Sequence, residues 1–228
     1  MNPVISAPVP AQLPLASGDA FFPVHRIYCV GRNYAAHAIE MGHDPNREPP
    51  FFFQKNPDNL VVGMKDWPYP VASNDVHHEI ELVVGLSQGG TDIALEDAMD
   101  CVFGYAVGLD MTRRDPQGEA KKMGRPWEVG KAFEHSAPCT PMLRASDIGH
   151  PDTGRISLSV NGEVRQEGDL AQMIWKVPEM VSYLSGLFTL APGDLIFSGT
   201  PAGVGPVSRG DRLSGTVAGV ATLELTVV

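Results

Sequence analysis

The chain has 228 residues, of which 43% are hydrophobic and 19% charged, and its formal net charge is −10. This acidic balance argues against a general binder of nucleic acid or of an anionic membrane, because such partners need a basic face. An anionic substrate would therefore need cations supplied locally. The 24 glycines and 20 prolines, with few long helical patterns, favour a β-rich fold with many turns.

The cysteines and the N-terminal region bear on location. The three cysteines form no CxxC pair, which argues against a disulfide framework or a zinc ribbon and fits a reducing compartment. The first 25 residues lack a basic segment followed by a continuous apolar run, and no stretch reaches the length of a membrane span. We therefore expect a cytoplasmic protein that binds neither membranes nor nucleic acid.

Prolines are frequent in residues 1–24, which predicts an extended arm with short edge strands at Val4/Ile5 and Leu13/Leu15. Residues 25–228 contain no linker and no internal repeat, so they are expected to form a single domain.

A short helix is predicted over residues 31–42, where Asn33 can cap the first turn and Gly42 can end it. His37 and Glu40 lie three residues apart, on one face of this helix. A carboxylate beside an imidazole raises its basicity and orients it, so the pair is a candidate water-activating dyad. A surface His–Glu contact is the alternative. The loop over residues 41–50 is a candidate lid.

Residues 76–84 predict one strand, with Glu79 and Glu81 on one face and His78, Ile80 and Leu82 on the other. Two carboxylates at this spacing repel each other near a core, and a divalent cation would relieve the repulsion. A solvated pair on an exposed face remains the alternative.

Residues 102–109 predict a strand or buried run that ends at a third acidic residue, Asp110. Three carboxylates without cysteine favour Mg²⁺, Mn²⁺ or Ca²⁺ over zinc, and they leave part of the coordination shell for water or a chelating dicarbonyl acid. Arg114 and Lys131 can supply positive charge. Lys131 is flanked by small and aromatic residues, which favours a functional role, although a surface lysine is the alternative.

The remaining segments carry weaker signals. A helix is predicted over 92–100, a strand or turn over 127–133, and a hairpin over 156–165 with a type I′ turn at Asn161-Gly162. A helix over 170–175 is predicted to be capped by Asp169, and another helix is predicted from Pro178. Further strands are predicted at 26–30, 51–55, 60–62, 195–198 and 212–228. The loop 199–205 lacks the ending of a P-loop, and its amides with the Thr200 hydroxyl would suit a small carboxylate.

Together these segments resemble the fumarylacetoacetate hydrolase superfamily, from about Arg26 to the C-terminus. Each motif is weak alone, but their order and spacing are specific. The motifs are Gly31-Arg32-Asn33-Tyr34 with His37 and Glu40, Pro50-Phe51-Phe52-Phe53-Gln54-Lys55, His78-Glu79-Ile80-Glu81-Leu82, Gly108-Leu109-Asp110-Met111-Thr112, Arg114-Asp115, Lys131, and residues 198–205.

The resemblance implies a mixed α+β, β-rich fold, a mixed β-roll with short flanking helices, in which residues 25–228 form one catalytic domain of a homodimer. It implies a divalent metal, Mg²⁺ or Mn²⁺ with Ca²⁺ as a third option, held by Glu79, Glu81 and Asp110. It also implies a catalytic role for Lys131 and for the His37–Glu40 dyad on a lid helix. The residues expected to bind substrate are Arg32, Lys55, Arg114, Gln117, Gly199 and Thr200.

Within the superfamily the chain looks closest to the acylpyruvate hydrolases, and especially to those that cleave fumarylpyruvate to fumarate and pyruvate in gentisate breakdown. It departs from the family at Lys55-Asn56, where Lys-Pro is usual, which bears on substrate choice. The alternatives are an oxaloacetate decarboxylase or tautomerase on the same kind of site, a bifunctional decarboxylase–isomerase, and a non-catalytic, calcium-stabilised β protein.

Overall fold

The structure is a computed structural model, and it describes residues 3–7, 9–35 and 49–228. Its strands, in chain order, are β1 Gln12–Pro14, β2 Phe21–Pro23, β3 Ile27–Gly31, β4 Phe51–Lys55, β5 Leu60–Val62, β6 Asp66–Trp67, β7 Val76–His78, β8 Ile80–Leu86, β9 Val102–Leu109, β10 Thr112–Arg113, β11 Ala137–Cys139, β12 Leu143–Arg144, β13 Arg155–Val160, β14 Glu163–Asp169, β15 Leu195–Phe197, β16 Gly205–Pro206, β17 Arg212–Val217 and β18 Ala221–Val227. Its described α-helices are α1 Arg114–Lys122, α2 Glu128–Lys131, α3 Ala145–Ile148 and α4 Val177–Leu187.

The strands form a mixed β-roll. An eight-stranded sheet has the order β4-β3-β15-β8-β9-β11-β5, with β12 also paired to β9, and a five-stranded sheet has the order β14-β13-β17-β18-β6. A three-stranded sheet, β10-β7-β16, lies beside them, and β1 pairs with β2 in a hairpin. The mixed, β-rich fold expected from the sequence is therefore confirmed.

The core occupies both faces of the eight-stranded sheet. Every residue of β8 is buried. On one face, Leu82 belongs to a cluster that includes Leu158 and Leu213 of the five-stranded sheet. On the other face, Val83 packs in a cluster with residues of the β1–β2 hairpin, including Leu13. Burial of both faces explains the nearly continuous apolar sequence of β8.

The prediction of one strand over 76–84 is wrong in one respect, because the segment forms two strands that are separated at Glu79. The first, β7, pairs with β10 and β16, and the second, β8, pairs with β15 and β9, so the chain changes sheets at Glu79. The interruption is still anchored, because the Asp110 amide donates to the Glu79 carbonyl over 2.8 Å.

The helix predicted over 92–100 is also wrong: only Ala98–Cys101 is helical, as a 3₁₀ turn. Instead, serine hydroxyls of α4 form hydrogen bonds with the backbone of this segment. The Ile93 amide donates to Ser185 Oγ over 2.8 Å, and Ser182 Oγ donates to the Ile93 carbonyl over 2.8 Å. Tertiary hydrogen bonds have therefore replaced those within a helix.

Of the other local predictions, some are confirmed and some are wrong. The Asn161-Gly162 turn is confirmed, since both residues have positive φ, 54° and 83°, as a type I′ hairpin requires. The edge strand at Leu13 is confirmed, whereas Val4 and Ile5 are exposed and outside any strand. The segment 127–133 contains helix α2 rather than a strand, and no helix was predicted at α1.

The helix from Pro178 is confirmed as α4, and the terminal strands are confirmed as β17 and β18. Asp169 does cap a helix, but this is a 3₁₀ turn ending at Gln172 rather than a helix to residue 175. No helix among the described residues is long and apolar enough to cross a membrane.

Candidate active site and metal centre

Three buried carboxylates meet where two neighbouring strands end. Glu79 lies between β7 and β8, Glu81 in β8, and Asp110 directly after β9. The antiparallel register of the strands places Glu81 opposite Gly108. Ligand atoms of the three side chains all lie within 4.8 Å of one another. The acidic triad predicted from the sequence is therefore assembled in space.

The triad fits a divalent cation. Burial raises the pKa of Glu81 well above its ordinary value, and the carboxylates of Asp110 and Glu79 raise it further. A hard divalent cation would favour the ionised form of all three groups, and carboxylate oxygens are the ligands that Mg²⁺ and Mn²⁺ prefer. The group could therefore hold such a metal.

Lys131 is buried beside the triad, which excludes the alternative of a surface lysine. Its ammonium donates to Glu79 Oε2 over 2.8 Å, to Asp110 Oδ2 over 2.6 Å and to Thr112 Oγ1 over 2.7 Å. Burial alone would lower the pKa of Lys131, but the charges of Asp110 and Glu79 outweigh it and raise the pKa. The lysine is therefore a fixed cation at the edge of the acidic triad.

The position of Lys131 depends on close packing of α2 against α1. A side chain at Gly130 would place Cβ 2.7 Å from Gln117 Cβ and 3.0 Å from the Arg113 carbonyl oxygen. A glycine at this position lets the two helices approach closely enough for Lys131 to reach the carboxylates.

Arg114 and Gln117 lie on one face of α1 and line the same pocket as the triad. Arg114 Nη2 donates to Glu79 Oε1 over 2.5 Å, and Nη1 donates to Gln117 Oε1 over 2.7 Å. Glu79 thus has a cation on each carboxylate oxygen, Arg114 on one and Lys131 on the other.

Lys55 is buried beside Asp110 at the edge of the triad. Its buried ammonium lies 2.8 Å from Asp110 Oδ1, and it donates to the carbonyl oxygens of Met111 and Lys131. Lys55 is not among the residues that line the pocket. The structure shows Lys55 holding Asp110, and its contact with substrate stays a prediction.

The loop after β15 also forms hydrogen bonds with protein groups at the site. The Gly199 amide, expected to cradle a substrate carboxylate, donates to Glu81 Oε2 over 2.8 Å. The Thr200 hydroxyl donates to the Ile80 carbonyl over 2.7 Å, although its side chain lines the pocket. In this structure the cradle therefore holds a carboxylate of the protein.

Sequence reasoning missed Gln166, a fully buried residue of β14. Its Oε1 accepts from His78 Nδ1 over 2.9 Å and from the Ile80 amide over 3.1 Å. Its Nε2 donates to Thr200 Oγ1 and to the Pro201 carbonyl, both over 2.8 Å. This one amide ties the triad strand to the loop after β15. No period or motif in the sequence of its hairpin marks this contact.

An aromatic wall, formed by Phe51, Phe53 and Trp127, stands beside the triad. Phe51 meets Trp127 edge-on with centroids 5.3 Å apart, and Phe53 lies 5.9 Å from Trp127. A side chain at Gly31 would place Cβ 2.0 Å from the Phe51 ring, so the absence of a side chain there leaves room for the wall.

Cations lie against both ends of the wall. Lys131 Nζ is 4.9 Å from the Phe53 centroid, and Lys121 Nζ is 4.9 Å from the Trp127 centroid. Arg32 lies over Phe51 at 5.2 Å, with a left-handed backbone φ of 58°. Arg32 was expected in the site from its motif, whereas Lys121 and Trp127 were not. His37 and Glu40 lie outside the described residues, so the dyad remains a prediction.

Comparison with known proteins places the chain in a family. Residues 26–228 match the family model described as fumarylacetoacetate (FAA) hydrolase C-terminal. The chain therefore belongs to the fumarylacetoacetate hydrolase family, whose members include hydrolases and tautomerases.

Individual relatives lie close over nearly the whole length. The crystal structure of fumarylpyruvate hydrolase from Pseudomonas aeruginosa in complex with Mn²⁺ and pyruvate is 53% identical, with a TM-score of 0.98, covering 100% of this chain and 99% of that one. A putative fumarylpyruvate hydrolase from Burkholderia cenocepacia is 50% identical, with a TM-score of 0.94 and coverages of 100% and 98%. The oxaloacetate tautomerase YcgM of Escherichia coli is 41% identical over 87% of this chain and 90% of its own.

Proposed function

We propose that this protein hydrolyses the carbon–carbon bond of an acylpyruvate, with fumarylpyruvate cleaved to fumarate and pyruvate. The observation that carries the proposal is the triad of Glu79, Glu81 and Asp110, joined by Lys131 and opening into a pocket lined by further cations. The similarity to a fumarylpyruvate hydrolase at 53% identity over the whole chain supports the choice of substrate.

The triad would hold Mg²⁺ or Mn²⁺, which when bound would act as a Lewis acid towards the carboxylate and 2-oxo oxygens of the substrate. Lys131 and Arg114 are fixed on the two oxygens of Glu79, and both face the pocket. They would attract the anionic pyruvoyl end and stabilise the negative charge that develops as the bond breaks. Gln117, held by Arg114, would orient the same end.

His37, oriented by Glu40, would take a proton from water, whose oxygen attacks the distal carbonyl carbon of the substrate. A carbon–oxygen bond forms there, and the bond to the methylene carbon breaks. Its electron pair leaves with the pyruvate half as an enolate, which then takes up a proton. Fumarate thereby receives the hydroxyl of one water molecule, and pyruvate receives a proton.

A tautomerase or decarboxylase acting on oxaloacetate is the second candidate, and the 41% identity to a curated oxaloacetate tautomerase favours it. It would use the same triad and Lys131 but no attacking water. The cationic pocket beside the triad is not needed by a calcium-stabilised protein without activity, so that reading is the weakest.

The discriminating experiment offers both substrates to EDTA-treated protein reloaded with Mn²⁺. We expect pyruvate and fumarate from fumarylpyruvate, and slower turnover of oxaloacetate. Turnover of oxaloacetate alone would reject the hydrolase and favour the second candidate. His37→Ala should leave Mn²⁺ binding unchanged and slow hydrolysis by about 10²–10⁴-fold, as loss of a general base does.

Three further properties are proposals that rest on the sequence and on the family resemblance: a homodimer, a cytoplasmic location, and an arm over residues 1–24 followed by one catalytic domain. Sedimentation and limited proteolysis would test the first and the third.

A further inference from the structure

Several positively charged side chains line the pocket beside the triad. Among the described lining residues there are three carboxylates, those of the triad, and four cations, which are Arg32, Arg114, Lys121 and Lys131. A bound divalent ion would add two further positive charges. A protein with net charge −10 thus has a cationic pocket, and an anionic ligand is what such a pocket attracts.

Lys121 packs against an aromatic ring. Its ammonium stands over the Trp127 ring, and in the described part of the chain no carboxylate forms an ion pair with it. Burial lowers the pKa of Lys121, and the nearby charges of Arg114, Arg32 and Lys131 lower it further. Placing like charges close together lowers the stability of the fold. Such an arrangement is typical of a site that binds an anion.

The cations lie at different positions along the aromatic wall. Lys131 lies at the triad end of the aromatic wall, over Phe53, whereas Lys121 and Arg32 lie over Trp127 and Phe51. A substrate whose 2-oxo acid end is held at the triad would extend along the wall towards Lys121 and Arg32. The flat rings suit a planar, conjugated chain.

We propose that Lys121 and Arg32 form a subsite for a second carboxylate, so that the substrates are planar acylpyruvates whose acyl group ends in a carboxylate. This inference rests on the proposed function, since the triad end is taken to hold the pyruvoyl group. It assigns to Lys121 the choice between dicarboxylic and neutral acyl groups, and it makes Trp127 the surface on which the acyl chain lies.

The test compares two substrates that differ only at the far end: fumarylpyruvate and crotonylpyruvate, in which a methyl group replaces the distal carboxylate. The variants are Lys121→Gln, Lys121→Arg and the control Lys122→Gln, which removes the same charge from an exposed position one residue along the same helix. We expect Lys121→Gln to lower kcat/KM for fumarylpyruvate by about 10–100-fold, the range for losing a hydrogen bond to a charged group. Crotonylpyruvate should change by no more than about twofold, Lys121→Arg should restore most of the loss, and Lys122→Gln should alter neither substrate.

Equal losses on both substrates in Lys121→Gln would overturn the inference, because the residue would then act on the shared pyruvoyl half or on pocket shape. An unchanged fumarylpyruvate rate would overturn it too, while leaving the hydrolase intact.

If the wild-type protein hydrolyses neither substrate, the proposed function fails, and calorimetry on Mn²⁺-loaded protein tests the subsite separately. Fumarate should then bind more tightly than crotonate, and Lys121→Gln should abolish the difference. An undiminished preference for fumarate in that variant would reject the subsite.

Discussion

Replacing Lys55 with methionine is the sharpest test of how the triad is held. The ammonium of Lys55 is wholly buried, lies 2.8 Å from Asp110 Oδ1, and donates to two carbonyl oxygens. Methionine fills similar space but supplies no charge and no donor. Removing one partner of a buried ion pair typically costs about 3–5 kcal/mol, because the other charge remains desolvated.

In a chain of this size, each kcal/mol shifts the unfolding midpoint by about 2–4 °C. Lys55→Met should therefore lower Tm by about 6–20 °C when metal is removed with EDTA. Mn²⁺ at the triad would supply positive charge to Asp110, so the gap between wild type and variant should narrow when Mn²⁺ is added. Calorimetry or urea unfolding with and without Mn²⁺ measures both effects.

Lys65→Met is the matched control, since Lys65 is exposed and its replacement should change the free energy of unfolding by no more than about 0.5 kcal/mol. If Lys55→Met resembles this control, the buried ion pair does not stabilise the fold. If its deficit is the same with and without Mn²⁺, Lys55 and the metal do not act on the same carboxylate.

Three further variants probe separate parts of the site. Glu81→Ala should abolish Mn²⁺ binding by calorimetry together with turnover, and metal-dependent activity in this variant would refute the ligand assignment. Gln166→Leu leaves the His78 donor and the Ile80 amide without their acceptor. It should lower the free energy of unfolding, measured in urea, by about 2–4 kcal/mol and also lower kcat. Wild-type values would show that these hydrogen bonds are dispensable. Gly31→Ala should displace the Phe51 ring, raising KM while sparing Mn²⁺ affinity, and an unchanged KM would argue against a substrate contact at the wall.

The sequence predicted the triad because its signal is local. Glu79 and Glu81 are two residues apart in an apolar stretch, and Asp110 ends the neighbouring buried run. The ordered motifs then indicated the family and with it the fold. The pattern did not predict the change of sheets at Glu79, because it depends on pairing with strands that lie later in the chain: β10 and β16 for β7, and β9 and β15 for β8.

Other features depend on contacts between distant segments. Gln166 is 88 residues from His78, and no period or motif in its hairpin announces the contact. The sequence around Lys121 carries no motif that predicts its place over Trp127, which follows from the folding of α1. The segment 92–100 has the spacing of a helix, but hydrogen bonds to α4 decide its conformation.

In the proposed reaction, water attacks an acylpyruvate and the step depends on the triad's metal. It is tested most directly by supplying fumarylpyruvate to the Mn²⁺-loaded protein in water enriched in heavy oxygen, and analysing the fumarate by mass spectrometry. We expect one heavy oxygen in each fumarate, and no fumarate after EDTA treatment. Fumarate that forms without the label, or at the same rate in EDTA, would contradict it.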